Sequence, residues 1–306
     1  MFAIVQRRYW YFALSLLVIV PGLIALALWG LPLSIDYTSG TLLEVQFTQT
    51  TRSIDIAQVR QVYTNHGFPD TTVQTSGTNA IIARSKSLST DDQKAILTDL
   101  TAQYGTPTVI SADTVSPVIG SEVAVRAAEA VGLAAIGILI YITYAFRKAE
   151  HPFRYGVAAI IAMLHDVLVV VGTAAILGHF LGWEVDSLFL TALLTVAAFS
   201  VHDTIVVFDR IRENLLTQRR MDYEAVVNHS IIQTLDRSIN TQLTVMLTLL
   251  SLALFGGTTV RHFVVTLLIG VFSGTYSSIF NAAPILVVWE SRDWEHLFRR
   301  DKPATA

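Results

Sequence analysis

Apolar residues in this chain fall into long runs separated by short polar breaks. Six runs are long enough to cross a bilayer, which takes about 20 residues: Trp10–Leu31, Ala127–Phe146, Tyr155–Leu181, Ser187–Phe208, Ser238–Phe255 and Phe263–Trp289. The first is expected to be a retained helix. It exceeds the apolar run of about 7 to 15 residues usual for a cleaved signal, and no small-residue cleavage site follows it.

Between the first two runs the pattern changes character. "TLLEVQFT" (41–48) alternates with period two, as a half-buried strand does, and "IDIAQVRQVYTNHG" (54–67) has helical spacing with a glycine stop. "TTVQTSG" and "NAIIARSK" predict a hairpin around Gly77. "STDDQKAILTDLTAQYG" (89–105) predicts a capped helix, and "TPTVISADTV" a closing strand. The order β-α-β-β-α-β is that of a ferredoxin-like split βαβ unit.

The pattern therefore predicts an α-helical membrane protein: six transmembrane helices, with one ferredoxin-like α+β extracytoplasmic domain between the first and second. The expected divisions are 1–31 (N-terminus and first helix), 32–125 (soluble domain), 126–290 (five-helix bundle) and 291–306 (tail).

Composition agrees with a membrane setting: 52% of the residues are hydrophobic and 15% charged, with a mean hydropathy of +0.52. A net charge of −3 offers nothing to a nucleic acid. The absence of cysteine excludes disulfides, thiolate metal sites and Cys nucleophiles. Of the 21 Lys and Arg residues, fourteen fall on one side of a six-span arrangement and seven on the other, which predicts that both termini are cytoplasmic. The soluble segment carries nine acidic and five basic residues in no catalytic pairing, so a binding or mechanical role is expected for it. Its ends, Thr38–Gly40 and Ser116–Gly120, carry the Gly and Pro of candidate hinges.

Candidate chemistry lies in the apolar runs. A carboxylate at mid-bilayer costs about 2.5 to 3.5 kcal/mol, so such groups face a bundle interior and have a task. Asp166 is eleven residues into the third run, about 16 Å deep at about 1.5 Å per residue. Asp203 lies five residues before the end of the fourth run. Arg237 opens the fifth run and is the permanently charged, bidentate partner that a buried carboxylate wants. A proton on Asp203 would release Arg237 and its loss would recapture it, a two-state element worked by one proton.

His165 and His202 each precede an Asp, but neighbours on a helix point about 100° apart, so both are read first as packing residues. Two "HD" dipeptides without further His clusters make poor metal-phosphohydrolase ligands. The contexts "LHD" and "VHD" also do not suit an intramembrane aspartyl protease. No metal or cofactor is expected. In the sixth run Gly270 and Gly274 form a G-x-x-x-G face for close helix contact, while Tyr276, Ser277, Ser278 and Asn281 fit either a proton wire or interhelical hydrogen bonds.

Several stretches together resemble the SecF family of the bacterial Sec export machinery, within the resistance-nodulation-division superfamily. They are "IDYTSGTLLEV" (35–45), "MLHDVLVVVG" (163–172), "VHDTIVVFDRIREN" (201–214), "FGGT" (255–258) and "LLIGVFSGTYSSIFNAAPIL" (267–286). Ser39 stands where the family commonly has Gly, and His202 where it commonly has Asn. The resemblance implies a non-enzymatic subunit of the cytoplasmic (inner) membrane that, with SecD, uses the proton gradient late in translocation. It implies a proton relay through Asp203 and Arg237, with Asp166 and His202 in lesser parts. The implied partners are SecD, the SecYEG translocon, YajC, YidC, the unfolded exported chain and membrane lipid. The alternative is half of a small-molecule or lipid exporter of the same superfamily.

Overall fold

The computed structural model describes residues 3–47, 54–76 and 79–292. The expected turn at Gly77 and the tail from residue 293 onward lie outside the described residues. The chain divides into two compact units, Leu33–Glu129 and Met1–Pro32 with Ala130–Ala306.

The smaller unit begins with a short helix α2 (Ile35–Thr38), named after the first long helix α1 described below. It continues through β1 (Gly40–Phe47), α3 (Ile56–Asn65), β2 (Thr72–Thr75), β3 (Ala80–Ser85), α4 (Thr90–Tyr104) and β4 (Pro107–Val115). The strand order is β2-β3-β1-β4 and every neighbouring pair is antiparallel, which is the split βαβ topology. Alternation along β1 puts Leu43, Val45 and Phe47 on the buried face. There they meet Val59, Val62 and Tyr63 of α3 and Ile96 and Leu100 of α4. Asp55 caps α3 by accepting from the Ala57 amide at 2.9 Å. Ser89 and Asp92 close a reciprocal capping box on α4.

The larger unit holds α1 (Arg8–Trp29), α6 (Pro152–Leu181), α7 (Ser187–Thr217), α8 (Tyr223–Phe255), α9 (Thr258–Ser277) and α10 (Ala283–Ser291). One π-helical turn, Ser278–Ala282, joins α9 to α10, so these three pieces form the sixth span. The helix α5 (Pro117–Ala145) runs across the division between the units.

Several helices run beyond their apolar stretches. α5 starts at Pro117, α7 continues to Thr217 and α8 starts at Tyr223. Hydropathy marks only the apolar part of a helix. The polar continuation of α7 is supported by ion pairs one turn apart, Arg212–Asp209 and Arg210–Glu213, both at 2.6 Å. One sequence expectation changes accordingly: Arg237 lies in the interior of α8 rather than opening a helix. Of the candidate hinge at Ser116–Gly120, residues from Pro117 onward form the first turn of α5, where a Cβ on Gly120 would sit 3.0 Å from the Ser39 amide nitrogen.

α6, α7 and the sixth span form the centre of the helical unit, with Ala158, Ala162, Phe208, Ile211, Ala283 and Leu286 fully or almost fully buried. α1, α5 and α8 carry exposed large apolar side chains such as Leu17, Leu133 and Leu247, the surface a bilayer would cover. Two close helix approaches depend on glycine. A Cβ on Gly22 of α1 would come 2.8 Å from the Cα of Gly172 on α6, and one on Gly270 would come 2.1 Å from Val196 Cγ2 on α7.

Candidate ion-coupling site

The centre of the helical unit holds two carboxylates with contrasting surroundings. Asp166 of α6 has no exposure at all. Ser273 donates to its Oδ1 at 2.6 Å and Ser277 to its Oδ2 at 2.6 Å. His165 Nδ1 stands 2.9 Å from Oδ1. Both serines lie on α9, one turn apart, which is why one carboxylate meets both. Gly274 lies between them, and a Cβ there would meet Asp166 Oδ2 at 3.6 Å and Ser200 at 3.4 Å. Those are ordinary contact distances, so α9 packs closely on Asp166 and Ser200 at this point.

Asp203 of α7 is 4% exposed and far less well served. Ser238 of α8 donates to its Oδ1 at 2.8 Å. Its Oδ2 is buried and accepts no hydrogen bond among the described residues. A buried carboxylate oxygen without a donor is costly while the group is charged. Asp203 is thus the less well satisfied of the two buried carboxylates.

The sixth span touches both neighbourhoods through consecutive residues. Ser277 reaches Asp166, while Ser278 Oγ donates to the Ser200 carbonyl at 3.1 Å. With that proton spent, Thr204, next to Asp203, is the donor in its 2.9 Å contact with Ser278. The π-helical turn starts at this point, and such turns recur at functional sites. A third polar link pairs Asn281 Nδ2 with Ser15 Oγ of α1 at 2.9 Å. Tyr276 donates to the Tyr11 carbonyl at 2.7 Å, and its ring stacks beside His165 at 6.0 Å.

The remaining sequence candidates lie apart from these contacts. Arg237 is exposed and makes no ion pair with Asp203; its neighbour Ser238 makes the contact to Asp203 instead. The roughly 100° step between adjacent helical residues separates their directions. His202 is exposed for the same reason, since Asp203 faces inward. His165, read first as a packing residue, also contacts its neighbour, its ring folding back on Asp166. Sequence reasoning passed over Ser238 and Gln242 within "LDRSINTQ", although their i, i+4 spacing puts both on one buried face of α8. Gln242 Oε1 is buried with no hydrogen-bond partner, like Asp203 Oδ2. Among the described residues there is no cluster of three or more His, Cys, Asp or Glu that could hold a metal ion.

Among the described residues, six membrane-length helices, two of them carrying buried carboxylates, and one small α+β unit define a multi-pass membrane protein of the transport class. Residues 95–292 match the family described as "Protein export membrane protein SecD/SecF, C-terminal", and residues 25–51 match the "SecD/SecF GG Motif". The chain belongs to the SecF family of protein-export membrane proteins. Protein translocase subunit SecF of Anaerolinea thermophila is 52% identical over 100% of both chains. Protein translocase subunit SecDF of Bacillus subtilis is 35% identical over 94% of this chain and 38% of its own length. The crystal structure of SecDF, a translocon-associated membrane protein from Thermus thermophilus, superposes with a TM-score of 0.83 at 32% identity. That match covers 95% of this chain and 39% of the SecDF chain, so this chain spans about two fifths of that structure.

Proposed function

We propose that this subunit couples proton flow to late steps of Sec-dependent export, with Asp203 as the proton-carrying group. The observation that carries the reading is Asp203 itself, nearly buried, held by one serine and with Oδ2 unpartnered. Protonation relieves the uncompensated charge; deprotonation creates a demand for a cation, which Arg237 on the facing helix α8 meets by moving inward. One charge crossing 100 mV is worth about 2.3 kcal/mol, enough to shift a balanced two-state arrangement about fortyfold. Asp166, already satisfied by Ser273, Ser277 and His165, acts as a second and stiffer station. His202, exposed on α7, tunes Asp203 only by its charge.

A SecD chain supplies the other half of the membrane core, a reading supported by the SecDF relatives that hold more than this chain's length. The subunit sits in the bacterial inner membrane with both termini cytoplasmic, a reading supported by the arginine-rich connections on one side of the six spans. It works beside SecYEG, YajC and YidC, and its α+β unit handles the unfolded exported chain. The test is export into inverted membrane vesicles with and without a proton gradient. Asp203→Asn and Arg237→Ala should abolish the gradient-dependent increment while leaving ATP-driven initiation intact. Full gradient stimulation in the Asp203→Asn protein would sink the mechanism.

A further inference from the structure

The connection 146–151 between α5 and α6, the connection 218–222 between α7 and α8, and the end of α10 border an open cavity of about 720 Å³. Asp166 and Asp203 do not line it. Its wall combines two chemistries. One part is apolar, including Leu215, Leu216, Met221 and Leu286, of which Leu216 is 65% exposed. The other part is ionic and carries an excess of positive charge. Glu290 is held by Arg154 at 2.7 Å and Glu213 by Arg210 at 2.6 Å. Arg212 pairs with Asp209 at 2.6 Å. That leaves one acid of the wall, Glu150, and two exposed cations, Lys148 and Arg219, none of them in an ion pair among the described residues. The balance is one unanswered positive charge in a wall that also holds an acceptor, the Gln218 Oε1 atom, that is buried and unbonded.

We infer that this cavity binds the head group of an anionic phospholipid. A phosphodiester carries one negative charge, which matches the single excess cation. A glycerol head group brings hydroxyls to donate to Gln218, and the acyl glycerol edge covers Leu216 and Met221. The place fits the chemistry, since basic pockets between transmembrane helices at the membrane edge recruit such lipids. A free phosphate has the charge but leaves the apolar wall bare. The inference stands whether or not Asp203 carries the proton.

The test uses the full chain in nanodiscs of mixed phosphatidylglycerol and phosphatidylcholine, released into native mass spectrometry with the retained lipids identified. The wild type should retain phosphatidylglycerol in preference. Lys148→Gln with Arg219→Gln should lower that retention about thirtyfold, from about 1 kcal/mol per basic residue near the surface converted at about 1.4 kcal/mol per decade. Arg147→Gln with Arg220→Gln removes equal charge outside the cavity and should leave retention unchanged. Equal retention of both lipids overturns the site, as does an equal loss in the two double variants. Displacement by millimolar inorganic phosphate assigns the cavity to a free anion instead and overturns the lipid. As a measurement on the unmutated chain, a photoreactive phosphatidylglycerol should label the peptide containing Leu216 and Met221; labelling confined to other helices counts against the proposal.

Discussion

Ser39 carries φ +66° and ψ +166°, a backbone region that is close to glycine's alone. The family resemblance had placed a glycine at this position, and the geometry shows the need for one persists although the residue does not. Ser39→Gly should therefore stabilise the smaller unit by about 1 kcal/mol, after the entropic cost of the glycine is set against the relieved strain. Slower hydrogen exchange at β1 amides would report it, and unchanged or faster exchange would count against it. Gly40→Ala should act the opposite way, because its Cβ would fall 2.4 Å from the Ser85 carbonyl oxygen at φ +127°. The two buried aspartates also separate at this scale. Asp166→Asn keeps an acceptor for one serine and presents an amide to the other, a loss of about 1 to 3 kcal/mol of stability. Its gradient-dependent export should fall less than that of Asp203→Asn, whose lone donor Ser238 keeps its acceptor. An Asp166→Asn protein that folds normally yet loses all gradient stimulation would reverse the order of the two sites.

Helix pairs are positioned by what their facing residues lack. Gly270 lets α9 press on Val196 of α7, and the same helix carries Ser273 and Ser277 to Asp166 of α6. Gly270→Ala would place a methyl 2.1 Å from Val196 Cγ2, overpacking worth about 1 to 3 kcal/mol. Val196→Ala alone leaves a small cavity, and the double variant should recover most of the stability lost by Gly270→Ala. Thermal melting in detergent measures this, and strictly additive losses would show that the two residues do not oppose each other. The G-x-x-x-G spacing of Gly270 and Gly274 was legible in the sequence as a close-contact face. Gly22 and Gly172 were not, because single glycines in runs of large apolar residues carry no period that names their partner. The π-helical turn at Ser278–Ala282 was equally silent, since it follows from how the sixth span packs and not from any one residue type.

For the whole molecule, charge asymmetry makes a prediction that the cysteine-free chain is suited to test. A cysteine at Asp91, exposed on α4, should react with an impermeant maleimide only from outside the cell, and one at Arg220 only from the cytoplasm. Labelling of the Asp91 position from the cytoplasm alone would invert the topology. The exposed apolar length of α5, where Leu133, Ile136, Ile140 and Tyr141 are all open, belongs to this scale as well. Such a surface is ordinary against lipid and costly against water.

What the sequence determined by itself is what hydropathy and local periodicity can report. It marked six apolar runs because transfer from water is a property each residue contributes separately. It marked the β-α-β-β-α-β order because strand and helix periods repeat within a few residues. It pointed to Asp166 and Asp203 because an ionisable group in an apolar run is anomalous without reference to any neighbour. The tertiary structure decided the partners. Which residue of α8 meets Asp203 depends on the rotation of one helix against another, and that rotation selects Ser238 while turning Arg237 outward. His165 reaches Asp166 through a side-chain bend that a 100° helical step does not forbid but cannot announce. A rotation of a fraction of a turn changes these contacts while leaving the apolar pattern of every helix as it was, so only packing between helices could choose among them.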